Sequence, residues 1–171
     1  NGAVHDAAVT AWGLKGYYDS IRPISAIRMM CDYGQSSDPG GPSYNSNGIP
    51  LEPGVVEVIT TQSCAPGQRH AQLANFVGEI AVLSWPGSPP NPTSQYSGVV
   101  WMRGKNWVPY QRPTFVTPPF AGYISGHSTF SRAAAEVMTR ITGTEYFPGG
   151  MGTFYAQANH FLVFEQGPTQ D

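Results

Sequence analysis

Phe120-Ala121-Gly122-Tyr123-Ile124-Ser125-Gly126-His127-Ser128-Thr129 decides how this chain is read. The rigid segment Thr117-Pro118-Pro119 leads in, and an alanine-rich run from Phe130 to Ile141 follows, so a helix is predicted from about Ser128. A helix start presents unpaired N–H groups and partial positive charge, which suits an oxyanion. Gly126 lets backbone approach a ligand closely. His127 adds an imidazole, the side chain suited to proton exchange near neutral pH. Ser125 and Ser128 also suit N-capping, a role compatible with anion binding. A hydrolase nucleophile elbow would need glycine two before and two after Ser125, and Tyr123 and His127 stand there instead.

The bulk composition frames this stretch. A chain of 171 residues suits one domain, and 40% hydrophobic content permits a core. Charged residues are only 12%, and there are 20 Gly and 16 Pro, which marks a loop-rich globular chain. A net charge of −2 makes no electrostatic case for nucleic acid. No apolar run reaches the length of a membrane span. Cys31 and Cys64 bracket a polar Gly/Pro-rich stretch; a disulfide and two unrelated thiols are both compatible with that spacing. A bridge would favour an extracytoplasmic home. The histidines and carboxylates lack zinc-ligand spacing, and the aromatic residues are spread rather than gathered into a stacking platform.

Outward from the centre, residues 3–21 read as one helix that Arg22-Pro23 ends. A second helical piece spans about Ile24 to Met30, and residues 32–54 read as a long loop, functional or inserted. Val55–Thr60 suits a short strand or a helix start. Leu73, Phe76, Val77, Ile80, Ala81 and Leu83 form a helical stripe within Gln68–Ser84. Gly98–Met102 is short and apolar, the proline-rich stretch Asn106–Phe120 is irregular, and Thr153–Glu165 suits a final helix.

Lys15 and Arg22, seven apart, would leave one face of the first helix about 10 Å from each other. Two such cations can grip one tetrahedral oxyanion, and Asp19 could steady the lysine. Trp12, Tyr17, Tyr18 and Ile21 surround them, which is unlike a solvated charged face. Lys105 and Arg112-Pro113 repeat the spacing, but Pro109 between them forbids a regular helix. His5-Asp6 and Arg69-His70 have no such context and read as structural, and His160 likewise stands outside any motif.

Lys15 to Arg22-Pro23 resembles the Lys-x6-Arg-Pro motif of vanadium-dependent haloperoxidases and type-2 phosphatidic acid phosphatases, and Ser125-Gly126-His127 is similar to the core of their Pro-Ser-Gly-His motif. The resemblance implies an all-α helical bundle, here a single truncated domain over 1–171, with one oxyanion site. Lys15, Arg22, Ser125 and the N–H of Gly126 would bind the oxyanion, vanadate or a phosphoryl group. His127 would be the acid–base group. Trp12 and Phe120 match the fungal chloroperoxidase branch, where they line the halide side, which favours haloperoxidase over phosphatase.

Two departures accompany the match. Ile124 replaces the motif proline, and Met138 and Thr142 stand where the third motif, Ser-Arg-x5-His-x3-Asp, would continue from Ser131-Arg132. The ligand or nucleophile histidine is therefore expected beyond Asp171, and the chain is read as part of a longer protein. That parent is expected to oxidise halide with hydrogen peroxide, acting on a small organic substrate. The alternatives are phosphomonoester hydrolysis on the same scaffold, or a non-catalytic chain with residual anion binding. Residues 1–171 alone are expected to show no turnover. Uncovered apolar helix surface would promote homo-oligomers or aggregation.

Overall fold

The computed structural model describes residues 1–91, 94–95, 97–111, 114–153 and 155. In chain order its regular elements are α1 (Gly2–Tyr18), α2 (Pro23–Tyr33), β1 (Val56–Val58), β2 (Ile80–Ser84), β3 (Val100–Arg103) and α3 (Gly126–Thr142). Short 3₁₀ pieces occupy Ala71–Phe76 and Gly104–Asn106. Two compact units result: the described residues of Asn1–Arg22 and Thr117–Ala156 make one, and those of Pro23–Val116 the other. The antiparallel sheet of order β1-β2-β3 overturns the expected all-α helical bundle. The predicted final helix at Thr153–Glu165, with His160, lies outside the described residues but for Thr153 and Tyr155.

In the first unit α1 packs against α3. Ala3, Ala7, Ala8, Ala11, Leu14 and Lys15 form the covered stripe of α1, at the three- and four-residue spacing of a helical face. Its residues are mostly small, so the two backbones can approach closely. The helix stops earlier than Pro23 requires. Asp19 turns left-handed at φ 40°, and its N–H caps Lys15 O at 3.0 Å. At its other end α3 closes on Gly143, φ 76°, whose N–H bonds Thr139 O at 2.9 Å. Arg132 and Arg140 flank Glu136 at 3.0 and 2.8 Å along its exposed side. No α3 residue is fully buried, and Ile141 is 79% exposed.

The second unit is built on β2, the central strand. Ile80 and Val82 point into a cluster with Cys31 and Ile49, whereas Ala81 joins Ile59 and Leu73 on the opposite face. The helix expected over Gln68–Ser84 is thus a 3₁₀ piece followed by a strand. Val77 is extended and Gly78 takes φ 94°, which breaks any helix between them. A strand covered on both faces is apolar at every position, and periodicity cannot separate that from a buried helix. Val82 pairs with Val56 on one side and Met102 on the other, which settles both short apolar stretches as strands. Glu79 holds Arg103 through two 2.8 Å bonds and Lys105 at 3.1 Å; these cations keep its carboxyl below the usual carboxylate range.

Cys31 and Cys64 pack with different core clusters, on the two sides of this sheet, and both are free thiols. Burial pushes the Cys31 thiol up to about 11. The long loop after α2 is ordered around Gln35, which is 1% exposed. Its side chain donates to Asp38 O and Pro42 O and accepts from Asp38 N–H.

His70 is fully buried; its Nδ1 meets Ser63 Oγ at 2.9 Å and its ring edge meets Trp101. Among the described residues Nε2 has no hydrogen-bond partner, although Glu57 Oε2 lies 3.6 Å away. Burial lowers the pKa of His70 from 6.5; the Glu57 carboxylate opposes this and Arg69 adds to it. The unfolded chain then binds this proton more readily than the folded one. Stability should fall as pH drops below about 6.5 towards the depressed folded value. Urea midpoints measured from pH 8 to pH 5 should show this slope, and His70→Asn should flatten it; an unchanged slope in the variant would assign the effect elsewhere.

Candidate functional site

Lys15 lies on the covered stripe of α1, one turn past Ala11, and is only 6% exposed. Its ammonium donates to Ala121 O at 2.8 Å and Gly122 O at 3.3 Å. Arg22 donates from Nε to Phe120 O at 2.6 Å and from Nη2 to Ala121 O at 3.5 Å. Both cations lie against the Phe120 ring, 5.5 Å and 4.8 Å from its centroid. Lys15 and Arg22 therefore converge on one carbonyl, although not as two positions of one helix. Arg22 is beyond the Asp19 cap, and the irregular link that follows, rather than helical periodicity, delivers the guanidinium. Nor does Asp19 steady the lysine: its contact with Lys15 is the backbone cap alone.

The electrostatics of this pair are unusual. No carboxylate among the described residues pairs with Lys15 or Arg22; their partners are neutral carbonyls and a ring face. A cation satisfied by neutral acceptors keeps its full field, and in a poorly solvated place that field is weakly screened. The rival Lys105 contrasts with it, being paired with Glu79 at 3.1 Å and Asp32 at 3.8 Å; its companion Arg112 lies outside the described residues. An ammonium has three N–H donors and a guanidinium five, so both Lys15 and Arg22 retain donors beyond those given to the carbonyls.

The segment that the cations hold runs directly into Ser125-Gly126-His127. Ser125 is the N-cap of α3: its Oγ accepts Ser128 N–H at 3.3 Å and its carbonyl accepts Thr129 N–H at 3.2 Å. Its hydroxyl donates to Ser128 Oγ at 3.0 Å. The helix thus starts at Gly126, earlier than Ser128, and the N–H groups of Gly126 and His127 precede its first internal bond. A Cβ on Gly126 would come within 3.3 Å of the Phe130 ring. His127 is exposed, its ring 6.4 Å from that of Phe130. Among the described residues no hydrogen bond joins Ser125 or His127 to Lys15 or Arg22; the connection runs through Phe120–Gly122.

Trp12 and Phe120 meet with ring centroids 4.8 Å apart, tilted by 59°. Arg132, at the start of the incomplete third motif, pairs with Glu136 on the surface. Met138 lines a groove of about 720 Å³ with Ala134, Ala135, Tyr146, Phe147 and Pro148, and none of Lys15, Arg22, Ser125, Gly126 and His127 reaches it. Sequence reasoning missed Ser20, whose carbonyl and hydroxyl accept Gly122 N–H at 3.1 Å and Tyr123 N–H at 2.8 Å. A serine in a link of no regular structure carries no signal that could have revealed this.

Among the described residues no group of three or more His, Cys, Asp or Glu could hold a metal ion, and no helix is long and apolar enough to cross a membrane. No curated protein and no solved structure matches the chain. A family model does match, that of the VCPO second helical-bundle domain, over residues 1–52 and 72–171. The unmatched stretch 53–71 contains β1 and the turn that carries Ser63 and His70. With most of its length inside that match, the chain belongs to the vanadium haloperoxidase superfamily, a vanadate-dependent family of enzymes.

Proposed function

We propose that Lys15, Arg22 and the first N–H groups of α3 form an oxyanion cradle for vanadate, at which the protein oxidises halide with hydrogen peroxide. The observation that carries this reading is the buried Lys15 ammonium, matched to neutral carbonyls and to no carboxylate among the described residues. Such a donor-only, cationic set fits a tetrahedral oxyanion with more than one negative charge. When bound, vanadate would supply the Lewis acidity that activates hydrogen peroxide. The chain's own residues bind and orient. Lys15 and Arg22 neutralise charge, Gly126 offers its N–H without a side chain in the way, and Ser125 adds a hydroxyl. His127 holds or releases a proton at a ring nitrogen. The Trp12–Phe120 pair offers apolar surface beside the cations, which favours halide and a small organic substrate over a phosphate ester.

The test uses the full-length protein. Bromination of a phenolic dye by hydrogen peroxide is measured with and without added vanadate, beside hydrolysis of a phosphate ester. Vanadate-dependent bromination is expected. Ester hydrolysis without it would replace this reading by phosphomonoesterase activity, and neither activity would leave anion binding alone.

A further inference from the structure

We infer that Ser20 is a positioning residue for the oxyanion cradle, an inference that rests on the cradle reading above. Ser20 follows the Asp19 cap and is half-buried. It accepts two consecutive backbone N–H groups, Gly122 on its carbonyl at 3.1 Å and Tyr123 on its hydroxyl at 2.8 Å. Lys15 and Arg22 take the carbonyls of the same segment, from Phe120 to Gly122. Residues 120–123 are therefore held through acceptors by the cations and through donors by Ser20. The two holds differ in what an anion does to them. An oxyanion competes with the carbonyls for Lys15 and Arg22, because it is the stronger acceptor. It does not compete for Ser20, which acts here as an acceptor only. When the cations turn to the anion, the Ser20 bonds keep Tyr123 in place. Tyr123 is two residues before the Ser125 cap, so its position sets where the Gly126 N–H stands relative to Lys15 and Arg22.

The hydroxyl bond is the part that substitution can remove. Ser20→Ala loses the acceptor for Tyr123 N–H and keeps the carbonyl bond to Gly122; Ser20→Thr keeps both. Orthovanadate and orthophosphate are titrated against the full-length wild-type protein and its two Ser20 variants, vanadium-51 NMR following the vanadate directly and by phosphate competition, with far-UV circular dichroism on each. Ser20→Ala should weaken binding about tenfold at unchanged helix content, since one neutral hydrogen bond is at stake, and Ser20→Thr should restore it to within about twofold. Equal affinity in wild type and Ser20→Ala overturns the inference and leaves the cradle standing. Weak binding in both variants with lost helix signal also overturns it, because Ser20 would then serve folding alone. A full-length wild-type protein that binds neither orthovanadate nor orthophosphate overturns the cradle itself and this inference with it.

Discussion

Lys15→Met should weaken orthovanadate binding about 10- to 100-fold, which corresponds to the loss of one hydrogen bond to a charged group at about 1.5–3 kcal/mol. Methionine keeps the length and flexibility of the side chain and removes its charge and donors. The variant also leaves Ala121 O and Gly122 O without their ammonium partner. Some stability should be lost with it, about 1–3 kcal/mol, because Gly122 O loses its ammonium donor and Ala121 O keeps only the 3.5 Å bond from Arg22 Nη2. Affinity should therefore be measured where circular dichroism shows the variant folded. Lys105→Met is the control. Its ammonium is already matched to Glu79 and Asp32, so its removal should leave vanadate affinity within about twofold. Equal losses in the two variants would reduce the effect to net charge and sink the assignment of Lys15 to the cradle.

Gly34→Ala should be the most damaging single-methyl change in the second unit, at about 3 kcal/mol or more. Gly34 has φ 115°, which an L side chain rarely adopts. Its new Cβ would also overlap the Ser43 carbonyl oxygen. That oxygen cannot move freely, because it accepts Gln35 N–H at 2.9 Å, and Gly34 O accepts Ile49 N–H at the same distance. Relief of the overlap would pull apart the hydrogen bonds that order the loop around Gln35. Gly54→Ala separates the two causes. Gly54 also has positive φ, 81°, but a Cβ there meets nothing within 4 Å. It should cost only the backbone strain, about 1 kcal/mol. Urea unfolding of the two variants measures the difference; similar midpoints would mean that the loop yields and that the Ser43 contact carries no energy.

The residues of the proposed cradle were legible in the sequence to the extent that chemistry was. Lys15, Arg22, Ser125, Gly126 and His127 were all marked by residue type and order, and Trp12 and Phe120 do meet. Lys15 and Arg22 do not share one helical face, however, because α1 ends at Tyr18 rather than running through to Arg22. Nothing local announces that Asp19 turns left-handed four residues before Pro23. The rejected pair fared differently. Pro109 spoke against Lys105 on backbone grounds, and the structure adds that Glu79 and Asp32 occupy it.

Local sequence was enough to place a helix at the head of the chain and another after Ser125-Gly126-His127, with Ser125 as a candidate cap, and to order the cationic and imidazole motifs, although α1 ends at Tyr18 and α3 begins at Gly126. Those depend on neighbours within a few residues, where propensity and capping act. That Ile80–Ser84 is a central strand was settled by tertiary pairing alone, because Val82 lies 26 residues from its partner Val56 and 20 from its partner Met102. Only the tertiary structure decided that Phe120–Tyr123 is gripped by Lys15, Ser20 and Arg22, about a hundred residues earlier in the chain. Hydrogen bonds over such separations leave no periodic trace, and here they are what hold Phe120–Tyr123 against the end of α1.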